Sequence, residues 1–377
     1  MLPLEGITVV SLEQAVAAPF ATRQLADLGA RVIKIERPGT GDFARYYDET
    51  VNGMSSHFVW VNRSKESLAL DLKEEESKRI LEALLSKADV FIQNLAPGAV
   101  DRLGFGAAEL TNKFPGLVIC NISGYGSYGP YRDKKAYDLL IQCEAGLVSI
   151  TGTKDTPSKS GISIADIAAG MYAYTGILTA LLARHKTGKG TVMEVSLLEA
   201  LGEWMGYPHY FTYSGQQPER MGATHATIYP YGPFETGDNK QIFLSIQNDR
   251  EWKIFCQSVL SMPELEMDTR FHSNSNRVLH KDELKTKIEA VFATIPTLEL
   301  IDRLDKAQIA NARLNTVQEF IDHPQLQARN RWTEVDSPVG TIPVLIPPVT
   351  FDDLDYVMKP IPKVGEHTEA ILKELGL

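Results

Sequence analysis

Short runs of apolar, β-branched residues alternate with amphipathic stretches through the N-terminal part of the chain. Ile7 to Leu12 and Arg31 to Glu36 read as strands around a helical segment from about Pro19 to Leu28, the rhythm of a βαβ unit. Strands of this texture are expected where helices cover both faces of a sheet. The pattern repeats. Ser67 to Leu72 predicts a third strand, and Glu74 to Lys87 a helix with Ile80, Leu81, Leu84 and Leu85 on one face. Asp89 to Asn94 and Leu117 to Ser123 predict a fourth and a fifth strand. The elements together predict an α/β fold on a doubly wound parallel sheet.

Asp166 to His185 is apolar nearly all round and rich in Ala and Gly, which predicts a buried helix packed at close range. Lys186 to Gly190 ends it with basic residues and glycines, and Thr191 to Ser196 resumes a strand. Beyond Tyr207 the texture turns to aromatic, Gly and Pro punctuation, with a strand at Gln241 to Ile246 and helices around Asp249 to Ser261 and Lys281 to Phe292. A Pro-rich tail follows Asn315, and Thr368 to Leu375 predicts a terminal helix that returns to the first domain. The expected division is a large Rossmann-like domain from 1–200 and 340–377, a smaller α+β domain from 225–320, and linkers at 201–224 and 321–339.

Composition narrows the function classes. The 377 residues carry 38 Lys plus Arg against 48 Asp plus Glu, a net charge of -10, which argues against a surface that neutralises nucleic-acid phosphates. Cys120, Cys143 and Cys256 are too far apart in sequence for a disulfide framework or a zinc site, as expected in a reducing compartment. No basic flank precedes an apolar stretch at the start, and no apolar run approaches the ~20 residues that span a bilayer. A cytoplasmic protein with no membrane partner is expected.

Gly124-Tyr-Gly-Ser-Tyr-Gly129 follows a strand and matches G-x-G-x-x-G, but Pro130 and the polar run after it cannot open the helix a dinucleotide site needs. A mobile glycine loop beside an active site, or a plain turn, fits better. No Walker motif, G-x-S-x-G elbow or H-x-x-x-H spacing occurs, so ATP, serine-hydrolase and metal chemistry lack support. Asp166 stands where the small-residue helix begins. Free amides and the positive helix end would keep its carboxylate ionised and able to attack a thioester. On the residues alone a simple N-cap is the favoured reading, since most aspartates so placed do nothing more.

Longer stretches carry a resemblance: Gly29-Ala-Arg-Val-Ile-Lys-Ile-Glu-Arg-Pro-Gly-Thr-Gly-Asp42, Asp89-Val-Phe-Ile-Gln-Asn-Leu-Ala-Pro-Gly-Ala-Val-Asp-Arg-Leu-Gly104, and Tyr137-Asp138-Leu-Leu-Ile-Gln142 with Gly146 and Thr151-Gly152. Ala165-Asp166-Ile-Ala-Ala-Gly170 through Lys189-Gly190, and Gly365-Glu-His-Thr368, complete it. On these residues the chain resembles the class III coenzyme A transferases over nearly its whole length. The resemblance implies that the large domain binds CoA and that Asp166 is the nucleophile, carrying an acyl group as an anhydride and then CoA as a thioester. It implies CoA contacts at Arg37, Leu70, Lys73, Asn94, Arg102 and Lys135, with Tyr137 and Asp138 beside them. Gly124, Gly126 and Gly146 would serve an oxyanion near the acyl intermediate.

The stretch from Arg220 to Phe234 resembles relatives that act on small dicarboxylates such as itaconate, mesaconate or citramalate, with succinyl-CoA as donor. The acceptor's second carboxylate needs a cation or several donors. Arg45, His57, Arg220 and His225 are the candidates, although Arg220 and His225 could equally be structural. Val16 stands where the oxalate-using formyl-CoA relatives have glutamine, and their tetraglycine loop is missing, which disfavours oxalate. An α-methylacyl-CoA racemase is the alternative within the fold, but it would want histidine where this chain has Tyr137. A non-catalytic CoA-binding subunit is the alternative outside enzymes. Relatives form interlocked homodimers, so that assembly is expected, with CoA thioesters as substrates and no permanently bound cofactor or metal.

Overall fold

The computed structural model describes residues 2–377, apart from the side chain of Ser214. The apolar runs become β1 (Thr8–Leu12), β2 (Arg31–Glu36), β3 (Lys65–Ala69), β4 (Val90–Gln93), β5 (Val118–Ser123) and β6 (Val192–Ser196). They form one parallel sheet in the order β3-β2-β1-β4-β5-β6. Val9 pairs with Val32 and Val90 on one face, and Val10 with Ile33 and Phe91 on the other, so the alternation of a strand fills two cores at once. The order reverses between β1 and β4. In open sheets of this kind ligands collect outside the C-terminal strand ends at such a reversal.

One face is covered by the helices Ala17–Asp27 and Ile164–Thr187. Their seam is made of small residues: a Cβ on Gly170 would stand 2.7 Å from the Ala17 carbonyl oxygen. Ile164–Thr187 is the single described helix long and apolar enough to cross a membrane. Ala165, Ala168, Ala169, Ala173, Ile177 and Ala180 are buried in the core, while Tyr172 and Leu182 are exposed, so the expected all-round burial is corrected to one buried stripe. The other face is covered by Glu75–Leu85, through Ile80, Leu81, Leu84 and Leu85, and by the terminal helix Thr368–Leu375 through Ile371.

The third strand starts earlier than the apolar pattern indicates, because Lys65 is inside. Its Nζ lies 2.7 Å from Glu13 Oε1, and Lys34 Nζ lies 2.7 Å from Asp42 Oδ2, all four side chains being fully buried. Glu36 is buried beside them, bridged by Arg45 at 2.7 Å and by the Ser67 hydroxyl at 2.5 Å. Burial, only partly offset by Glu13, brings the Lys65 ammonium down to about 7.

By internal contacts the chain divides into two compact units: Met1–Leu147, Ser160–His209 and Gln327–Leu377 form the first, and Val148–Lys159 with Tyr210–Leu326 the second. Residues 148–159 join the second through the Gly222 amide on the Gly152 carbonyl and Arg220 on the Thr153 carbonyl, tethers that no local pattern announces. The second unit holds the antiparallel sheet β7 (Tyr231–Glu235), β8 (Gln241–Ser245) and β9 (Ala310–Arg313) around Trp252, Phe255, Phe271 and Phe292.

Candidate active site

Loops after β1 to β5 enclose a cavity of about 1370 Å³ at the C-terminal ends of the strands. Asp166 lines it from the first turn of Ile164–Thr187. That turn is capped from outside. Asp138 accepts the Ala165 amide at 2.8 Å with one oxygen and the Gln142 side-chain amide at 2.7 Å with the other, while Gln142 accepts the Ser160 amide. Asp166 is therefore relieved of capping and left facing the cavity. Burial, and then the Asp138 charge, push its carboxyl up to about 7. Against the expectation that the helix start keeps it ionised, burial and the Asp138 charge both disfavour the ionised form.

Arg37, Leu70, Lys73, Asn94, Arg102, Lys135 and Tyr137 come together on the same cavity, as does His57. Arg37, Lys73, Arg102 and Lys135 are exposed there, cations available to phosphate oxygens. Asn94 works differently from the expectation. Its amide clasps the backbone of Gln14, Oδ1 accepting that N–H at 2.8 Å and Nδ2 donating to that carbonyl at 2.9 Å. Asp138 likewise acts on the helix start, since both of its oxygens are used there.

Five further expectations are corrected by geometry. Arg45 is not a substrate cation: it grips both oxygens of Glu36, at 2.9 and 2.7 Å, and lies 3.7 Å over the Phe58 ring. In the second unit, Arg220 gives its three nitrogens to the carbonyls of Ser149, Thr153 and Lys154. His225 Nδ1 accepts the amides of Thr227 and Ile228 while the ring stacks on Tyr231, a structural arrangement. The Gly126 amide donates to Ser123 Oγ and the Gly146 amide to the Cys143 carbonyl, so neither N–H is offered to an oxyanion. Gly124 alone of the three lines the cavity, and a Cβ there would fall 2.2 Å from that of Ala136. Gly124→Ala is expected to displace the 134–138 wall and weaken CoA binding and turnover together; a loss of turnover at unchanged CoA affinity, measured by calorimetry, would contradict this.

Two residues escaped the sequence reading. Asp42 closes the signature around Gly41 and holds the loop after β1, accepting the amides of Ala15 and Ala44 with Oδ1 and the Lys34 ammonium with Oδ2. Tyr47 lines the cavity in an aromatic group with Phe43 and Tyr46, a clustering that could have marked it. Burial, then Asp42 and Asp166, push its hydroxyl up to about 12.

Comparison with known proteins agrees with this geometry. A sequence profile for CoA-transferase family III matches residues 4–368. The chain is 34% identical over 380 residues to a mouse (Mus musculus) succinyl-CoA:glutarate CoA-transferase, covering 100% of this chain and 87% of that protein. It is 35% identical over 381 residues to an acetyl-CoA:oxalate CoA-transferase of Acetobacter aceti, covering 99% and 96%. The crystal structure of a CAIB/BAIF family protein from Brucella suis superposes with a TM-score of 0.87 at 32% identity, covering 99% of each chain. A carboxylate-bearing helix start, a cation-rimmed cavity at the switch point and an end-to-end match lead to one assignment: this chain belongs to CoA-transferase family III, a family of enzymes.

Proposed function

We propose that this enzyme moves CoA from succinyl-CoA to a small dicarboxylic acid through Asp166. The observation that carries the reading is the placement of an uncapped, half-buried carboxylate in the cavity that gathers Arg37, Lys73, Arg102 and Lys135. An Asp166 oxygen attacks the thioester carbonyl, the C–S bond breaks and CoA leaves as thiolate, giving a mixed anhydride. The thiolate then attacks the Asp166 carbonyl carbon, releasing succinate and leaving an aspartyl-CoA thioester. The acceptor carboxylate repeats the two steps in reverse, and no net proton is consumed. The relatives named for glutarate and oxalate support a dicarboxylate acceptor; itaconate, mesaconate and citramalate fall in the same class.

Intact mass spectrometry after incubation with succinyl-CoA alone tests this. The protein should gain the mass of CoA less water at Asp166, and the absence of any adduct sinks the proposal. Only the ionised carboxylate attacks, so kcat/KM for the donor should fall about tenfold per unit below pH ~7. Asp138→Asn removes the like charge and should move that fall to lower pH. A profile flat down to pH 5 would contradict the assignment. A racemase is disfavoured by Tyr137 and by the engagement of Asp138 in the helix cap; deuterium entering the α-carbon of a methylacyl-CoA in heavy water would revive it.

The proposal includes a homodimer. Leu182, Val192, Trp204 and Tyr207 of the first unit are exposed, apolar surface of the kind an assembly covers.

A further inference from the structure

His57 is the second residue of the helix Ser56–Asn62 and lines the cavity. Its Nδ1 is buried with no hydrogen-bond partner, and it faces Asp48 Oδ2 at 3.6 Å. The rest of the ring is open, the side chain being 42% exposed. Asp48 itself cannot turn. It accepts the Thr50 amide at 3.0 Å and hydroxyl at 2.5 Å, and the Ser56 amide at 3.0 Å and hydroxyl at 2.8 Å. These donors, the Thr50 hydroxyl foremost, hold its carboxyl well below the usual range. The carboxylate stands behind Nδ1 and leaves Nε2 as the polar atom on the open side of the ring.

Tyr47 completes the corner. Its ring meets His57 edge-on, with centroids 5.4 Å apart and planes at 87°. Its phenol lines the same cavity as Asp166, and burial above all keeps it a neutral O–H donor. The corner thus offers one hydroxyl and one imidazole backed by a carboxylate. Phe43, Tyr46 and Tyr47 wall this part of the cavity, and Tyr47 and His57 lie, like Arg37, on the connection from β2 to β3.

We propose that Tyr47 and His57 receive the far, non-reacting carboxylate of the acceptor acid, with Asp48 as the positioning residue behind the imidazole. The inference rests on the reading of Asp166 given above and adds the groups that select a second charge. An ester in the same place would leave the hydroxyl and the imidazole without a matching carboxylate, which is how a polar site rejects an analogue lacking the matching group.

The test offers glutarate and its monomethyl ester together, with succinyl-CoA as donor. The ratio of the two acyl-CoA products reports the ratio of kcat/KM and does not depend on how fast the donor loads the enzyme. The wild type should favour glutarate by about 30-fold or more. His57→Gln and Asp48→Asn should bring the ratio within about threefold of unity, through a raised KM for glutarate with kcat held. His57→Arg, which supplies a donor with a fixed charge, should recover most of the preference. A ratio unmoved by His57→Gln overturns the subsite, as does a wild type indifferent to the ester. Intact mass separates the two levels. If the CoA adduct forms and the ratio is unmoved, only the subsite falls; if no adduct forms in the wild type, the Asp166 reading falls and the subsite with it.

Discussion

Asp166→Ala is expected to abolish CoA transfer, and Asp166→Asn to lower it by about 10⁴-fold or more, because the amide keeps the shape of the carboxylate but has no nucleophilic oxygen. The same change should make the folded protein more stable. A carboxyl raised from 3.8 to about 7 is ionised in the unfolded chain well before it is ionised in the folded one. The folded state is thus favoured at low pH, and this contribution is lost as pH rises through about 7. Asparagine escapes that loss, so Asp166→Asn should gain on the order of 2 kcal/mol at pH 8 and nothing at pH 3.5. Thermal unfolding at the two pH values, beside turnover, checks both halves. A variant that is active, or inactive and less stable at pH 8, would mark Asp166 as a structural residue.

Asp42→Ala is expected to cost about 3–5 kcal/mol of stability, a Tm lower by roughly 10 °C, because it strands the Lys34 ammonium inside the sheet. The remaining partner, Glu13, is 3.4 Å away and already bonded to Lys65 at 2.7 Å. The substitution also frees the Ala15 and Ala44 amides and loosens the loop after β1, so CoA transfer should fall as well. Replacing both members, Lys34→Met with Asp42→Leu, removes the stranded charge and should recover most of the stability without the activity. If Asp42→Ala unfolds at the parental temperature, the buried pair contributes nothing and the account is wrong.

Much of the large sheet was legible because both faces are covered, so that Val9 and Val10 are equally constrained to be apolar. The helix bearing Asp166 was legible from its small residues, which close approach demands. Charges inside the sheet were not. Lys34, Glu36 and Lys65 look like surface residues in the sequence, and only the meeting of four separate segments supplies their partners. The same limit explains the site. Family likeness drew Arg37, Lys73, Arg102, Lys135 and His57 to one cavity, yet it could not tell a free guanidinium from the spent ones of Arg45 and Arg220. Nor could it tell that Asp138 caps a helix beginning 26 residues after it, at Ile164.

The terminal helix has a consequence for synthesis on the ribosome. β3 is the outermost strand on its side of the sheet, and its Ser67 carbonyl accepts the His367 amide while its Ala69 amide donates to the Thr368 hydroxyl. These partners emerge roughly 300 residues after the strand itself. Until they do, the nascent chain carries a bare strand edge and an uncovered apolar patch around Leu68 and Leu81, the surfaces on which unfinished sheets aggregate. A stop codon just ahead of His367 would leave Asp166 and the cavity lining intact in sequence and the polypeptide hard to keep in solution.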